Sequence, residues 1–340
     1  MNMDATVETI PLVSVKELRA SLGRDPEAPE ILRGVSLDIG PGEILGLVGE
    51  SGSGKTMTAL SMLRLLPSAV EVTSGAVRFD GRDILDLKPG EMQKVRGGRI
   101  AMIFQDPIRH LNPVFTVGEQ LEAVIRAHAP TRLGDAEVRR QAIDLLDQVK
   151  IVNPEARLGS YPHQFSGGMA QRVMIALALA GSPDLLLADE PTSALDVTVQ
   201  AEILLLLRRI ARERGMAILF ISHNLGAVWQ LCDRVCVMYA GQVVEDAPTD
   251  IIVRRPQHPY TRALVMALPR LGQVRTRLAN IPGSMPPLSD LPGGCTFHPR
   301  CAFSHADCAT TEPALRPVNS RHMARCRYAE TIPPIDEATA

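Results

Sequence analysis

The chain has 340 residues, with 36 Lys and Arg against 38 Asp and Glu and a formal net charge of −2. That length holds one large or two modest domains, and the charge balance offers no basic field to recruit nucleic acid. No apolar run approaches the roughly 20 residues that span a bilayer. The early acids of MNMDATVETIPLV do not form the basic start of a signal peptide, so a soluble cytoplasmic chain is expected.

Residues 12–48 alternate as strands do, with Val35, Leu37 and Ile39 on one face and Ser36 and Asp38 on the other. Pro41-Gly42 marks a turn, and EILGLV (43–48) is a continuous apolar strand of the kind buried in a parallel sheet. It runs straight into GESGSGKT and then a helical pattern, the order strand, glycine-rich loop, helix. Short apolar strands recur at RIAMIF (99–104), DLLLAD (184–189) and AILFIS (217–222), as an α/β sheet requires. Residues from about 107 to 180 carry helical patterns and read as an inserted helical subdomain. RVCVMYAGQVVE (234–245) reads as a hairpin turning at Ala240-Gly241. Beyond about residue 256 prolines crowd in, and that segment is expected to hold little regular structure.

The glycine-rich loop supplies the first chemistry. Gly49, Gly52 and Gly54, with Ser51 and Ser53 between them, let the backbone curl so that its N–H groups face a phosphate. The helix that follows adds the positive end of its dipole. Lys55 would reach the β- and γ-phosphates of ATP, and Thr56 would place its hydroxyl on Mg²⁺. Asp189 and Glu190 follow an apolar strand. Asp189 is placed to hold Mg²⁺ and Glu190 to act as general base on the attacking water. Gln105, at the end of RIAMIF, would sense the metal and that water. His223, at the end of AILFIS, would contact the γ-phosphate and hold Glu190 in position. Ser166, Gly167 and Gly168 open a second helix start able to bind phosphate. One chain needs a single γ-phosphate site, so this second one suits the ATP of a partner molecule.

Taken together, GESGSGKT, FQDP, FSGGMAQR, LLLADEP, SALD and ISH resemble the motif series of ATP-binding-cassette (ABC) ATPases across residues 12–250. The resemblance implies a P-loop ABC-ATPase fold: a RecA-like α/β core with an antiparallel β subdomain and an inserted helical subdomain. It also implies a head-to-tail dimer, with Asp196 of the SALD turn at the interface beside Ser166, Gly167 and Gly168. The signature has Phe165 and Met169 where LSGGQ is commonest, and keeps the phosphate-contacting residues. The family's usual adenine-stacking aromatic is missing near Leu22, since no aromatic precedes Phe79. A DNA-repair cassette would need a long coiled-coil insertion between Gln105 and Ser166, and that interval is too short. A translation-type cassette protein would need two motif sets.

HPYTRALVMALPRL (258–271), IPGSMPPL and QDPIRHLNPVFTVGEQ are similar to segments of the oligopeptide and dipeptide importer ATPases. This implies a division at residue 255, with a nucleotide-binding domain at 1–255 and a cysteine-containing extension at 256–340. The implied partners are a second ATPase forming a heterodimer, two transmembrane permeases and an extracytoplasmic solute-binding protein. The implied place is the cytoplasmic face of the bacterial inner membrane, and a related solute such as nickel is the alternative cargo. Cys295, Cys301, Cys308 and Cys326 follow a C-x5-C-x6-C-x17-C spacing, looser than a zinc ribbon. Four thiolates suit Zn²⁺ or a [4Fe–4S] cluster, and the resemblance favours the cluster. Cys232 and Cys236 sit among apolar residues and read as small core side chains.

Overall fold

In the computed structural model, which describes residues 10–25, 27–193, 195–268 and 281–335, the strands gather into two sheets. Three readings made from the sequence touch residues outside that range: the start of the N-terminal segment, Ala194 of the SALD turn, and the end of HPYTRALVMALPRL. In chain order the strands are β1 (Val13–Leu22), β2 (Glu30–Ile39), β3 (Ile44–Val48), β4 (Val70–Phe79), β5 (Arg82–Asp83) and β6 (Ile100–Ile103). They continue with β7 (Leu185–Asp189), β8 (Ala217–Ser222), β9 (Arg234–Tyr239), β10 (Gln242–Pro248), β11 (Arg316–Asn319) and β12 (His322–Ala324).

The first sheet is antiparallel, in the order β2-β1-β4-β5. The alternation in β2 holds, because Val35, Leu37 and Ile39 are buried while Asp38 is exposed. One face of such a sheet meets water and the other packs on the core. β1 breaks its register on both β2 and β4 around Leu18, and Glu17 there takes a left-handed φ of 45°.

The second sheet runs β11-β12-β10-β9-β3-β8-β7-β6. β6, β7, β8, β3 and β9 pair in parallel. Every residue of β3, β7 and β8 is buried, as their unbroken apolar sequences require when both faces of a sheet are covered. The long helices Gly167–Leu179 and Val197–Arg214 bury their apolar sides in the same core cluster. Between Pro107 and Leu179 the described residues carry helices and no strand, with Val117–His128 and Asp135–Gln148 packed together. β9 and β10 form the hairpin, turning through Ala240 and Gly241, both at positive φ.

The described C-terminal residues, 256–268 and 281–335, are more ordered than their proline content suggests. They form the helix Pro259–Met266, and β12 pairs with β10 through Glu245–Ala324 and Asp246–Met323. β12 therefore supplies hydrogen-bond partners that the hairpin's outer edge would otherwise lack. Behind it, His322 Nε2 lies 2.7 Å from Glu245 Oε1, both side chains almost fully buried. Glu245 also accepts the N–H groups of Gln257 and His258, so one buried carboxylate ties β10 to the start of the helix Pro259–Met266.

Candidate functional site

The fold brings the ends of β3, β6, β7 and β8 to one side of the sheet, where crevices of open α/β sheets bind ligands. β3 ends at Val48 and the chain curls through Gly49–Gly54 into the helix Lys55–Met62. Gly49 is required by close approach: a Cβ there would sit 2.2 Å from the carbonyl oxygen of Met238. Lys55 is buried inside the curl. Its ammonium donates to the carbonyls of Gly49 and Glu50, both at 2.9 Å, and reaches Ser53 Oγ at 3.5 Å. Burial lowers its pKa, against the opposing pull of Glu190, Asp189 and Glu50. A lysine so placed can transfer its donors to phosphate oxygens entering the loop.

Thr56 Oγ1 donates to both carboxylate oxygens of Asp189, at 3.2 and 2.9 Å. Burial raises the pKa of Asp189, the Thr56 hydrogen bond opposes the rise, and neighbouring Glu190 adds to it. A cation bound here would remove that penalty, so the pair suits Mg²⁺ coordination. After Asp189 the backbone turns through a left-handed φ of 45° at Glu190, a conformation that costs a non-glycine residue energy and clusters at functional sites. The turn directs its carboxylate between two side chains from neighbouring strands. Gln105 Nε2 donates to Glu190 Oε2 at 3.1 Å, and His223 Nδ1 lies 3.0 Å from Glu190 Oε1. A carboxylate held from two sides can orient and deprotonate a water.

Ser166, Gly167 and Gly168 stand apart from this group. Among the described residues, no hydrogen bond joins them to the glycine-rich loop, Asp189 or Glu190. Ser166 caps the helix Gly167–Leu179, its Oγ accepting the Met169 N–H at 3.4 Å. Asp196 caps the helix Val197–Arg214, accepting from Thr198 and Val199 at 3.1 and 3.0 Å. The two caps adjoin, because a Cβ on Gly168 would sit 2.7 Å from Val199 Cγ1. Ser166, Gly167 and Asp196 are exposed. Leu22, near the expected base-stacking position, ends β1 and is also exposed.

The ABC transporter family matches residues 32–193, and the C-terminal region of oligopeptide/dipeptide transporters matches residues 244–308. A putative peptide import ATP-binding protein of Brucella abortus (strain 2308) is 47% identical over 324 residues, covering 95% of this chain and 97% of its own. The chain belongs to the peptide-import family of ABC transporter ATPases. This ATPase is also 42% identical to the dipeptide transport ATP-binding protein DppD of Escherichia coli (strain K12), over 96% of this chain and 98% of that one. Its fold matches a dimeric ATP-binding cassette solved in a post-hydrolysis state with ADP and Pi, at a TM-score of 0.63 and 29% identity. That match covers 70% of this chain and 98% of the solved one. Among the described residues, no helix of the ATPase is long and apolar enough to cross a membrane.

The four C-terminal cysteines come near one another without closing on a common point. Cys295 N–H donates to the carbonyl of Cys308 at 2.8 Å. Burial, with smaller contributions from the neighbouring thiols, pushes the pKa of Cys301 and of Cys326 up to about 11. Backbone N–H groups of Phe303 and His305 approach the Sγ atoms of Cys301 and Cys308 at 3.3 and 3.5 Å. Among the described residues, however, no three His, Cys, Asp or Glu side chains are set to hold a metal ion. The expected metal site is therefore not assembled in this structure. Cys232 and Cys236 are buried in the core, as expected.

Sequence reasoning missed Glu50, Tyr260 and Arg300, which join the C-terminal segment to the glycine-rich loop. Arg300 grips the Glu50 carboxylate with two hydrogen bonds, and Tyr260 accepts the Glu50 N–H. Glu50 was visible within GESGSGKT and Tyr260 within HPYTRALVMALPRL, but nothing in the sequence marked Arg300 or paired the three.

Proposed function

We propose that this chain is the ATP-hydrolysing subunit that drives import of di- or oligopeptides across the cytoplasmic membrane. One observation carries the catalytic part: Lys55, the Thr56–Asp189 pair and the Gln105–Glu190–His223 group converge where four strands end. Gly49, Ser51, Gly52, Ser53, Gly54 and Lys55 cradle the phosphates of ATP. Thr56, Asp189 and Gln105 would hold Mg²⁺, which would supply positive charge to offset that of the phosphates. Glu190 takes a proton from the attacking water, and His223 keeps its carboxylate aimed. Ser166, Gly167, Gly168 and Asp196 act on the ATP of a second ATPase subunit. Their exposed, adjoining helix caps and the dimeric state of the matched cassette support that assignment.

The peptide cargo rests on the names of the relatives and on the match over residues 244–308. The subunit works as a heterodimer at the cytoplasmic face of the inner membrane, beneath two permeases fed by an extracytoplasmic solute-binding protein. The working division is a cassette at 1–255 and an extension at 256–340. The extension's cysteines are proposed to take up a [4Fe–4S] cluster, with Zn²⁺ as the alternative. Their mutual proximity and the backbone N–H groups facing two sulfurs support this, and the group would stabilise the extension's fold. Uptake of radiolabelled dipeptide by cells carrying Glu190→Gln in place of the native chain tests the reading. Retained uptake at the native rate would overturn it.

A further inference from the structure

Arg300 lies 250 positions beyond Glu50 in the chain, yet it reaches into the outer turn of the glycine-rich loop. It ends the short turn His298–Arg300, immediately before Cys301, and its side chain is only 7% exposed. A guanidinium has five N–H donors in a fixed plane, and here the three nitrogens meet five acceptors. Nε donates to the Pro282 carbonyl at 2.8 Å. Nη1 donates to Glu50 Oε2 at 3.0 Å and Tyr239 Oη at 3.3 Å. Nη2 donates to Glu50 Oε1 at 3.1 Å and the Gly283 carbonyl at 3.4 Å.

The paired bonds to both Glu50 oxygens are the most directional form an arginine–carboxylate contact takes. An ion pair between exposed groups contributes little, but this arginine is largely withdrawn from water and its donors are committed. Two further contacts from the same region fall on the loop. Tyr260, fully buried, accepts the Glu50 N–H on its hydroxyl at 2.8 Å. The Met285 methyl lies 2.8 Å from where a Cβ on Gly52 would stand. Behind Arg300, the rings of Tyr239, Tyr260 and Phe297 pack with centroids 4.8 to 5.3 Å apart. On the other side of Glu50, its carbonyl accepts the Lys55 ammonium. Glu50 is thus fixed by its carboxylate and N–H from the C-terminal segment and by its carbonyl from the loop lysine.

We propose that Arg300 is a positioning residue for nucleotide: through Glu50 it holds the glycine-rich loop in its phosphate-binding shape from the cysteine-bearing segment. ATP affinity then depends on the fold of a region that touches no phosphate. The proposal rests on the reading of Gly49–Thr56 as the ATP site, and the two fail separately in the test below.

The test measures displacement of a fluorescent ATP analogue by Mg-ATP from the full-length chain, with thermal melting as a control for folding. Arg300→Gln and Glu50→Gln are each expected to weaken ATP affinity about tenfold, within the range of ordinary site-to-site coupling. The sign for Glu50→Gln discriminates, because removing a negative charge near the phosphates would by charge alone tighten ATP binding. The double variant is expected to bind no more weakly than either single one, since both remove one contact. Arg300→Lys is expected to recover part of the affinity. Unchanged or tighter binding in Glu50→Gln, or losses that multiply in the double variant, would overturn the role of Arg300. If Arg300→Gln does not fold, Glu50→Gln decides alone. Lys55→Ala tests the underlying reading: native affinity in that variant would mean the loop is not the ATP site.

Discussion

Glu190 Oε1 lies 3.0 Å from His223 Nδ1, joining the residue that follows β7 to the residue that follows β8. Neighbouring parallel strands in register place their ends side by side, so the contact follows from the pairing of Asp189 with Ile221. Gln105, beyond β6 on the other flank, completes the clasp at 3.1 Å.

Glu190→Gln keeps the size and shape of the side chain and removes its basicity. Turnover by the assembled transporter is expected to fall about 10²–10⁴-fold, the usual cost of losing a general base, while ATP binding persists. Single-turnover hydrolysis measured beside equilibrium ATP binding checks both halves. Near-native hydrolysis would remove Glu190 from its role.

Lys55→Ala is expected to weaken nucleotide binding by the isolated chain, because the buried ammonium is the loop's cationic contact. Ser166→Ala is expected to leave that binding almost intact and to impair ATP-dependent dimerisation, since Ser166 is exposed and away from the loop. Binding and sedimentation experiments separate the two. Equal loss of affinity in both variants as monomers would contradict a division between sites on two subunits.

His258 caps the helix Pro259–Met266 by accepting the Tyr260 N–H on Nδ1 at 3.1 Å. Burial, with Arg325 adding, lowers its pKa from 6.5 to about 3. Between those values the unfolded chain binds a proton that the folded chain refuses. Stability therefore falls as pH drops below 6.5, by about 1.4 kcal/mol per unit. His258→Asn can accept the same N–H without titrating. Urea unfolding at pH 7 and pH 5 should show a smaller gap for the variant, and equal gaps would exclude His258 as the source.

Anaerobically purified chain is expected to carry about four iron and four sulfide, with broad absorption near about 400 nm, if the cysteines take a [4Fe–4S] cluster. Replacing Cys295, Cys301, Cys308 or Cys326 by Ser should bleach it and expose the segment after residue 281 to proteolysis. Hydrolysis at saturating ATP should hold, because the catalytic motifs all precede residue 224. One zinc and no colour would select Zn²⁺; no metal at all would exclude both.

Much of the cassette was legible because its signals are local. A continuous apolar run followed by GESGSGKT dictates a buried strand, a curled loop and a helix within a few residues. The alternation of β2 and the turn at Ala240-Gly241 are likewise set by neighbours in sequence. The order of the strands in the sheet is not, because it depends on which edges meet after the helices have packed. The short strands β11 and β12 carry no periodic pattern, and only their pairing with the edge of β10 gives them form.

What the sequence by itself determined is the set of residues proposed to handle phosphate: a lysine in a glycine-rich loop, two acids at a strand end, and a glutamine and a histidine at two other strand ends. Tertiary structure decided their distances, since Glu190 meets Gln105 and His223 only when β6, β7 and β8 lie side by side. It also decided that Arg300 would grip Glu50. Two charges 250 positions apart have no local preference for each other, and only the burial of Phe297, Tyr260 and Tyr239 into one aromatic cluster brings them together.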